Sequence, residues 1–456
     1  MGKIITDKGT IEPINEEQRV AIERGIEYLK KGDPNKWFVL EGKAGTGKTT
    51  IMTKILEEFI GKKRIEICAL AHKAKKVLWS KITDNLIDIP VGLSSNSVAS
   101  LLGMKLNMET GKFTKEYGKK KPPIRWADII IVDEASMINE QCLLHIMDNK
   151  KAKAKVIFVG DIGQLPPIRE NNGNLSSEPS PVFLIDNKCE LRTRVRQDGD
   201  SKILPYSDYY WDNSVINKGE EEDPIPLEER KTNESIVFSK DFEDVINKTK
   251  DKFIESVKTN NTNIIKVIVY RNKTKKMVNA YIRSLIFENP KEYEVGELLM
   301  FNDNYFRGDR NVFENSTEVS VLKIKDTIFN GEYHGKILTV TDGDRNENIE
   351  VISSGSVNGW NRHVSKLFEE ANKTPKGVRR NRLLKIAWGA RNRFANIDYS
   401  YTITSHKSQG STYETSIVIE DDILDTSMIS NVEKSQSLYV AISRASKLVY
   451  IISELN

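Results

Sequence analysis

Two short stretches of this 456-residue chain carry residue types and spacings that can do phosphoryl chemistry. In the first, Gly42, Ala44, Gly45, Thr46, Gly47, Lys48, Thr49 and Thr50 fit a phosphate loop. The glycines of such a loop let backbone N–H groups turn toward an anion, and the helix that follows presents its positive end. Lys48 is then placed for the β and γ phosphates of a nucleoside triphosphate, and the Thr49 hydroxyl for magnesium. The second stretch is Asp133-Glu134, at the end of the apolar run 129–132. A parallel strand delivers carboxylates to the edge of a sheet in this way. Asp133 would hold the cation through water, and Glu134 would orient and deprotonate the attacking water. Acid pairs are common on surfaces, so this one gains its meaning from following a phosphate loop.

Such residues need a sheet to hold them. Residues 37–40 read as a buried strand leading into the loop and 50–59 as the helix leading out. Strand-like runs alternate with helical stretches at 64–70, 129–132 and 156–159, and again at 235–238, 264–270, 416–420 and 448–452. The alternation predicts an α/β fold of parallel sheets covered by helices, and the length predicts two domains with a cleft between them. Two segments break the rhythm. Residues 102–125 read as a β-hairpin with a glycine-bearing turn, and 321–395 begin with strand-like runs and continue as a helical, basic stretch.

The 69 basic and 65 acidic residues leave a net charge of +4, so a polyanionic partner is favoured by local clusters rather than by the total. One cluster comprises Lys112, Lys115, Lys119, Lys120, Lys121 and Arg125; another comprises Arg379, Arg380, Arg382, Lys385, Arg391 and Arg393. Basic runs are more often solvated faces than binding sites. The acidic run Glu220 to Asp223 reads as a solvated linker. Three isolated cysteines argue against both disulfides and zinc. No apolar stretch approaches the roughly 20 residues that span a bilayer, and the N-terminus lacks a signal-peptide core, so the expectation is a cytoplasmic chain with no membrane partner.

Three further motifs, GDIGQLPP (160–167), TSHKSQGST (404–412) and YVAISRA (439–445), follow in fixed order. With them the chain resembles the RecD-like branch of superfamily-one DNA helicases across both halves. The resemblance implies two RecA-like motor domains, 1–200 and 201–456. It also implies a duplex-splitting pin hairpin at about 102–125, with Phe113 or Met108 as a candidate wedge unless the pair lies on an ordinary hairpin face, and an SH3-like barrel with a helical arm at about 321–395. It assigns Gln18 to the adenine edge, Gln164 to sensing the γ phosphate, Arg196 to the phosphates and Arg444 to an arginine finger from the second domain, though Arg444 also reads as a helix-terminal arginine that satisfies carbonyls. Gln409 and Gly410 would face the nucleotide. Strand contacts would come from His72, Lys73, Ser97, Asn272, Thr404, His406, Lys407 and Ser408. Gln18 also reads, with Asn15, as a helix-capping pair.

The implied activity is ATP- and magnesium-dependent translocation on single-stranded DNA, 5′ to 3′, with unwinding at junctions with duplex during replication, recombination or repair. Compact phage members of the branch further imply a monomer in an infected bacterial cell, working with or without a single-strand-binding protein. An RNA translocase, or a clamp switched by ATP without unwinding, remains an alternative.

Overall fold

The computed structural model describes residues 3–5, 11–13, 15–69, 78–80, 82–83, 89–106, 113–115, 122–167, 169–171, 174–176, 178–194, 203–218, 225, 230–308, 310–427 and 429–454. The expected acidic linker, most of the first basic cluster, His72, Lys73, Met108 and Arg196 lie outside them.

Helix α1 (Glu16–Lys31) opens the first layered unit. Asn15 and Gln18 form a reciprocal capping box, acidic residues fill the first turn and lysines the last, so caps and charges both favour a helix here. Strand β1 (Phe38–Gly42) leads into the phosphate loop, and α2 (Lys48–Glu57) leads out of it. The remaining strands of the first sheet are β2 (Ile65–Ala69), β3 (Leu93–Ser97), β4 (Ile129–Asp133), β5 (Lys155–Gly160) and β6 (Lys188–Leu191). Their order is β6-β1-β5-β4-β2-β3, and every pairing is parallel. The five residues of β1 are all buried, as expected for a strand covered on both faces.

A second parallel sheet follows helix α3 (Ile203–Val215). It contains β7 (Ile236–Ser239), β8 (Ile265–Val269), β9 (Thr402–Thr404), β10 (Tyr413–Ile419) and β11 (Ala445–Ile452), in the order β7-β11-β10-β8-β9. Helix α4 (Asn272–Ile286) leaves the end of β8, and α5 (Asn431–Ile442) precedes β11. The α/β expectation therefore holds in both halves. Tyr210 of α3 packs among Leu438, Tyr439 and Ile442 of α5, which places α3 on the second sheet.

Between α4 and β9 lies a third, antiparallel sheet. Its strands Leu298–Phe301, Glu318–Phe329, Tyr333–Thr341, Asn346–Ile352 and Ile397–Tyr399 enclose a core that includes Phe301, Phe313 and Leu338. The last strand ends three positions before Thr402, so this small unit grows directly from the second sheet. Two helices, α6 (Ser354–Lys373) and α7 (Val378–Arg391), project from it as a hairpin. Phe368 and Trp388 meet edge-to-face at 5.1 Å between the two helices. Within 102–125, Met104–Leu106 pairs antiparallel with Phe113–Lys115. No described helix is long and apolar enough to cross a membrane.

Candidate nucleotide site and strand interface

The first sheet gathers its chemistry at one edge. Ala69 of β2 is in register with both Asp133 and Ser97, and Gly42 of β1 with Leu191, so the phosphate loop, the acid pair and the end of β3 share the carboxyl edge. Ligands of open α/β sheets bind at that edge. Gly45 and Gly47 adopt φ of 84° and 85°, a region open to glycine at little cost, and Gly47 caps α2 without a side chain. The loop N–H groups are thereby presented at a helix N-terminus. Thr46 donates its hydroxyl to the Lys43 carbonyl at 2.9 Å, and Lys48 Nζ lies 2.6 Å from the Gly42 carbonyl and 3.0 Å from that of Lys43.

Gln18 is buried behind the loop. Its Nε2 donates to the Thr46 carbonyl at 3.2 Å, while its Oε1 accepts from the Asn15 N–H at 3.2 Å to close the capping box. The capping role read from the spacing is thus realised, and the same side chain braces the phosphate loop.

Asp133 and Glu134 stand at the end of β4. Glu134 has φ 53° and ψ 46°, a left-handed conformation unusual for a side chain of this size, and strain of this kind concentrates at functional positions. Its N–H donates to Asp133 Oδ1 at 2.9 Å. Burial, and then repulsion from Glu134, push the Asp133 carboxyl up to about 7. Burial also raises Glu134, against the pull of Arg444 and Lys48. Two crowded carboxyls of this kind suit a divalent cation, whose charge would relieve both. Thr49 heads α2 on the same edge, so the donor set fits magnesium.

The second unit closes over this edge through polar contacts. Tyr439 of α5 accepts the Ala44 N–H at 2.8 Å and donates its hydroxyl to Asp161 Oδ2 at 2.5 Å. Asp161 Oδ1 in turn accepts from Trp211 Nε1 at 2.9 Å and from the Gly163 N–H at 3.0 Å. Burial and the neighbouring Asp161 raise the Tyr439 phenol far above its ordinary value, so it remains a neutral donor. Lys43 Nζ reaches Asp212 at 2.9 Å and Asp208 at 3.3 Å on α3, and lies 4.0 Å from the centre of the Trp211 ring. Gln409 Nε2 donates to the Leu165 carbonyl and Gln436 Nε2 to the Ile162 carbonyl, both at 3.3 Å. The buried oxygens Gln164 Oε1 and Gln409 Oε1 have no hydrogen-bond partner among the described residues, which leaves two acceptors beside the cleft.

A family model described as "AAA domain" matches residues 13–202, and one described as "UvrD-like helicase C-terminal domain" matches 399–452. An uncharacterized protein of Acanthamoeba polyphaga mimivirus is 26% identical, covering 95% of this chain and 98% of its own length. The ATP-dependent DNA helicase Dda of Enterobacteria phage T4 is 25% identical, with the same 95% and 98% coverage. The RecD subunit of the RecBCD enzyme from Buchnera aphidicola is 23% identical over 92% of this chain and 70% of its own length. The chain is thus homologous to Dda and to RecD subunits. A solved structure of Pif1 helicases at forked duplex DNA aligns over 97% of this chain and 92% of that chain, with 17% identity and a TM-score of 0.49.

The remaining candidates fall into three groups. Arg444 is buried, and its guanidinium is spread over the Val440 and Ser411 carbonyls and the Ser443 hydroxyl, at 3.0, 3.2 and 2.9 Å. In this arrangement it caps the end of α5, while its charge still reaches Glu134. Two residues before Arg196, Arg194 pairs with Asp208, and its Nε and Nη1 are buried without a hydrogen-bond partner among the described residues.

The strand candidates of the second sheet do cluster. Val269 is in register with Thr404, which puts Asn272 at the start of α4 beside the short helix Ser405–Ser408. Asn272 is exposed, and His406 rests edge-on against Tyr270 at 5.6 Å. Lys407 donates to Asn302 Oδ1 at 2.8 Å; burial and the nearby Lys275 lower its pKa. Ser408 is fully buried with its hydroxyl on the Ser405 carbonyl at 2.7 Å, so that side chain braces the turn. Gly410 turns the chain with φ 69°. In the first sheet, Ser97 caps the short helix Val98–Leu101 through its side chain. Phe113 lies in a hairpin strand whose side chains are outside the described set.

Sequence reasoning read the motifs around Tyr439 and Asp161 but gave neither residue a task, because their partners Ala44 and Trp211 are distant in the chain. Asp422 was missed as well. It accepts the Tyr270 and Arg271 N–H groups at 2.7 and 2.9 Å and so holds the turn that presents Asn272.

Proposed function

We propose that this chain is an ATP-dependent DNA helicase that moves along a single strand of DNA and opens duplex ahead of it. The observation that carries the reading is the Ala44–Tyr439–Asp161 chain of hydrogen bonds, which ties the phosphate loop to the second sheet, whose edge bears the clustered Asn272 and Thr404 to Lys407. A change at the phosphates is thereby a change in how the two sheets sit, and the strand candidates ride on that movement.

In this reading Lys48 and the loop N–H groups hold the β and γ phosphates, and Gln18 braces the loop beside the base. Thr49 and Asp133 hold magnesium, whose charge would offset that of the phosphates. Glu134 orients a water and takes its proton as the water oxygen bonds to the γ phosphorus and the bond to the bridging oxygen breaks, releasing ADP and phosphate. Gln164 and Gln409 offer free acceptors to the site, and Arg444 or Arg194 turns toward the developing charge when the cleft closes. Thr404, His406, Lys407, Asn272 and Ser97 line the strand path, with His72 and Lys73 from the segment after β2. The two motor domains are 1–200 and 201–456. The 102–125 hairpin acts as the pin, and the antiparallel unit corresponds to the SH3-like insertion with its arm. Movement runs 5′ to 3′ as a monomer, with or without a single-strand-binding protein.

The test is ATP-driven separation of labelled duplexes bearing either a 5′ or a 3′ single-stranded tail. Opening of the 5′-tailed substrate alone, lost in Lys48→Ala, is expected; opening of the 3′-tailed one alone would reverse the polarity. Glu134→Gln should keep nucleotide binding and lower DNA-stimulated hydrolysis by a factor of about 10² or more. Full hydrolysis by that variant would remove Glu134 from the chemistry.

A further inference from the structure

Between Ala371 and Ile397 the chain has no Asp or Glu but eight Lys or Arg, and the structure folds this span into the tip and second helix of the projecting hairpin. The hairpin's aromatic residues face inward. Trp360 and Trp388 are 5% and 7% exposed, Trp388 against Phe368 and Trp360 against Phe394. Leu384 and Ala387 complete the buried face of α7. The opposite face carries Arg379, Arg382 and Lys385, all exposed, with the exposed Ile386 on the same side.

Spacing of i, i+3 and i+6 keeps the three cations on one stripe roughly 9 Å long. Lys373 pairs with Glu369 and Arg393 with Glu350, but among the described residues Arg379, Arg382 and Lys385 make no ion pair or side-chain hydrogen bond. Three uncompensated cations on a rigid helix repel one another, and neither packing nor capping explains them. Solvation alone explains one cation readily; it does not explain a span of this length without a single acid.

We propose that the Arg379–Arg382–Lys385 face of α7 binds the phosphate backbone of double-stranded DNA ahead of the strand junction. The composition of the face favours duplex over single strand. A single-strand track couples cations with exposed aromatic faces for base stacking, and this face has none, whereas a duplex keeps its bases stacked and offers phosphates alone. The hairpin also grows from the sheet whose last strand ends just before Thr402, so it stands on the unit that bears the clustered strand candidates. This inference rests on the reading of the chain as a DNA motor, and its test separates the two.

The full chain and the triple variant Arg379→Gln, Arg382→Gln, Lys385→Gln are titrated across a salt series with a fluorescent duplex of about 20 base pairs and with an oligothymidylate of the same length. ATPase stimulation by the oligothymidylate is measured in parallel. The variant should bind duplex more weakly, with a slope of log K against log salt flatter by about 2 to 3, from roughly 0.9 for each phosphate no longer contacted. Its single-strand affinity and stimulated ATPase should match the parent. Unchanged duplex affinity and slope would overturn the inference, as would an equal loss on both probes, which would make the face part of the single-strand track. Binding of polyglutamate that the variant loses while keeping duplex affinity would overturn it in favour of an acidic protein partner. Absence of stimulated ATPase in the parent would overturn the motor reading itself.

Discussion

Tyr439 shows how one side chain can join two parts of a molecule. It is fully buried, yet its hydroxyl has both an N–H to accept from and a carboxylate to donate to. Tyr439→Phe keeps the ring and strands the Ala44 N–H and Asp161 Oδ2, so it should cost about 1–3 kcal/mol in urea unfolding. A loss near zero would mean that the two sheets do not close through this contact. His406 yields a prediction about pH. Burial lowers its pKa, against the pull of Glu433, so the folded chain favours the neutral ring. The stability it contributes is complete above the ordinary histidine value of about 6.5 and is lost as pH falls through the lower folded value. Between about pH 7.5 and about pH 5, Tm should therefore drop less in His406→Gln than in the parent. Equal drops would show that His406 titrates as it does in the unfolded chain.

At the scale of elements, α1 and α2 hold the phosphate loop from behind, and Gly25 sets their distance. A Cβ built at Gly25 would lie 2.5 Å from Ile55 Cδ1 and 3.1 Å from its Cγ1, so a larger residue there must displace the Ile55 side chain. Gly25→Val should cost about 1–3 kcal/mol through overpacking. Adding Ile55→Val should recover part of that loss, because the two positions touch. Strict additivity in the double variant would mean that the helices sit further apart. The β1 strand and the helix after the loop were legible as an apolar run and a periodic stretch. The first strand of the small antiparallel unit, Leu298–Phe301, was not, because four apolar residues between turns carry no period that separates strand from helix.

For the whole molecule, each parallel sheet has its own apolar core, and the contacts that join the two are largely polar, with Leu165 and Ala44 of the first unit packed against the second core. Ile131 belongs to the core of the first sheet and Ile268 to that of the second. Across the cleft run Lys43 to Asp208 and Asp212, Tyr439 to Ala44, and Gln409 to Leu165. A polar interface of this kind favours relative movement of the two units. Calorimetric unfolding should accordingly show more than one transition. Ile131→Ala and Ile268→Ala should each cost about 2–5 kcal/mol and shift different transitions. A single transition moved equally by both would mean that the sheets unfold as one.

What the sequence determined by itself was local: a phosphate loop needs Gly45, Gly47 and Lys48 as near neighbours, and a strand that delivers Asp133 and Glu134 is one continuous apolar run. Motifs of this kind are legible because their chemistry is done by residues close in the chain. Only the tertiary structure decided that Tyr439 meets Ala44 and Asp161, that Arg444 rests on carbonyls at the end of its own helix, and that Gln18 serves both cap and loop. Those partners are separated by up to hundreds of positions, and no periodicity or spacing encodes which distant donor will find which acceptor once two sheets close on each other.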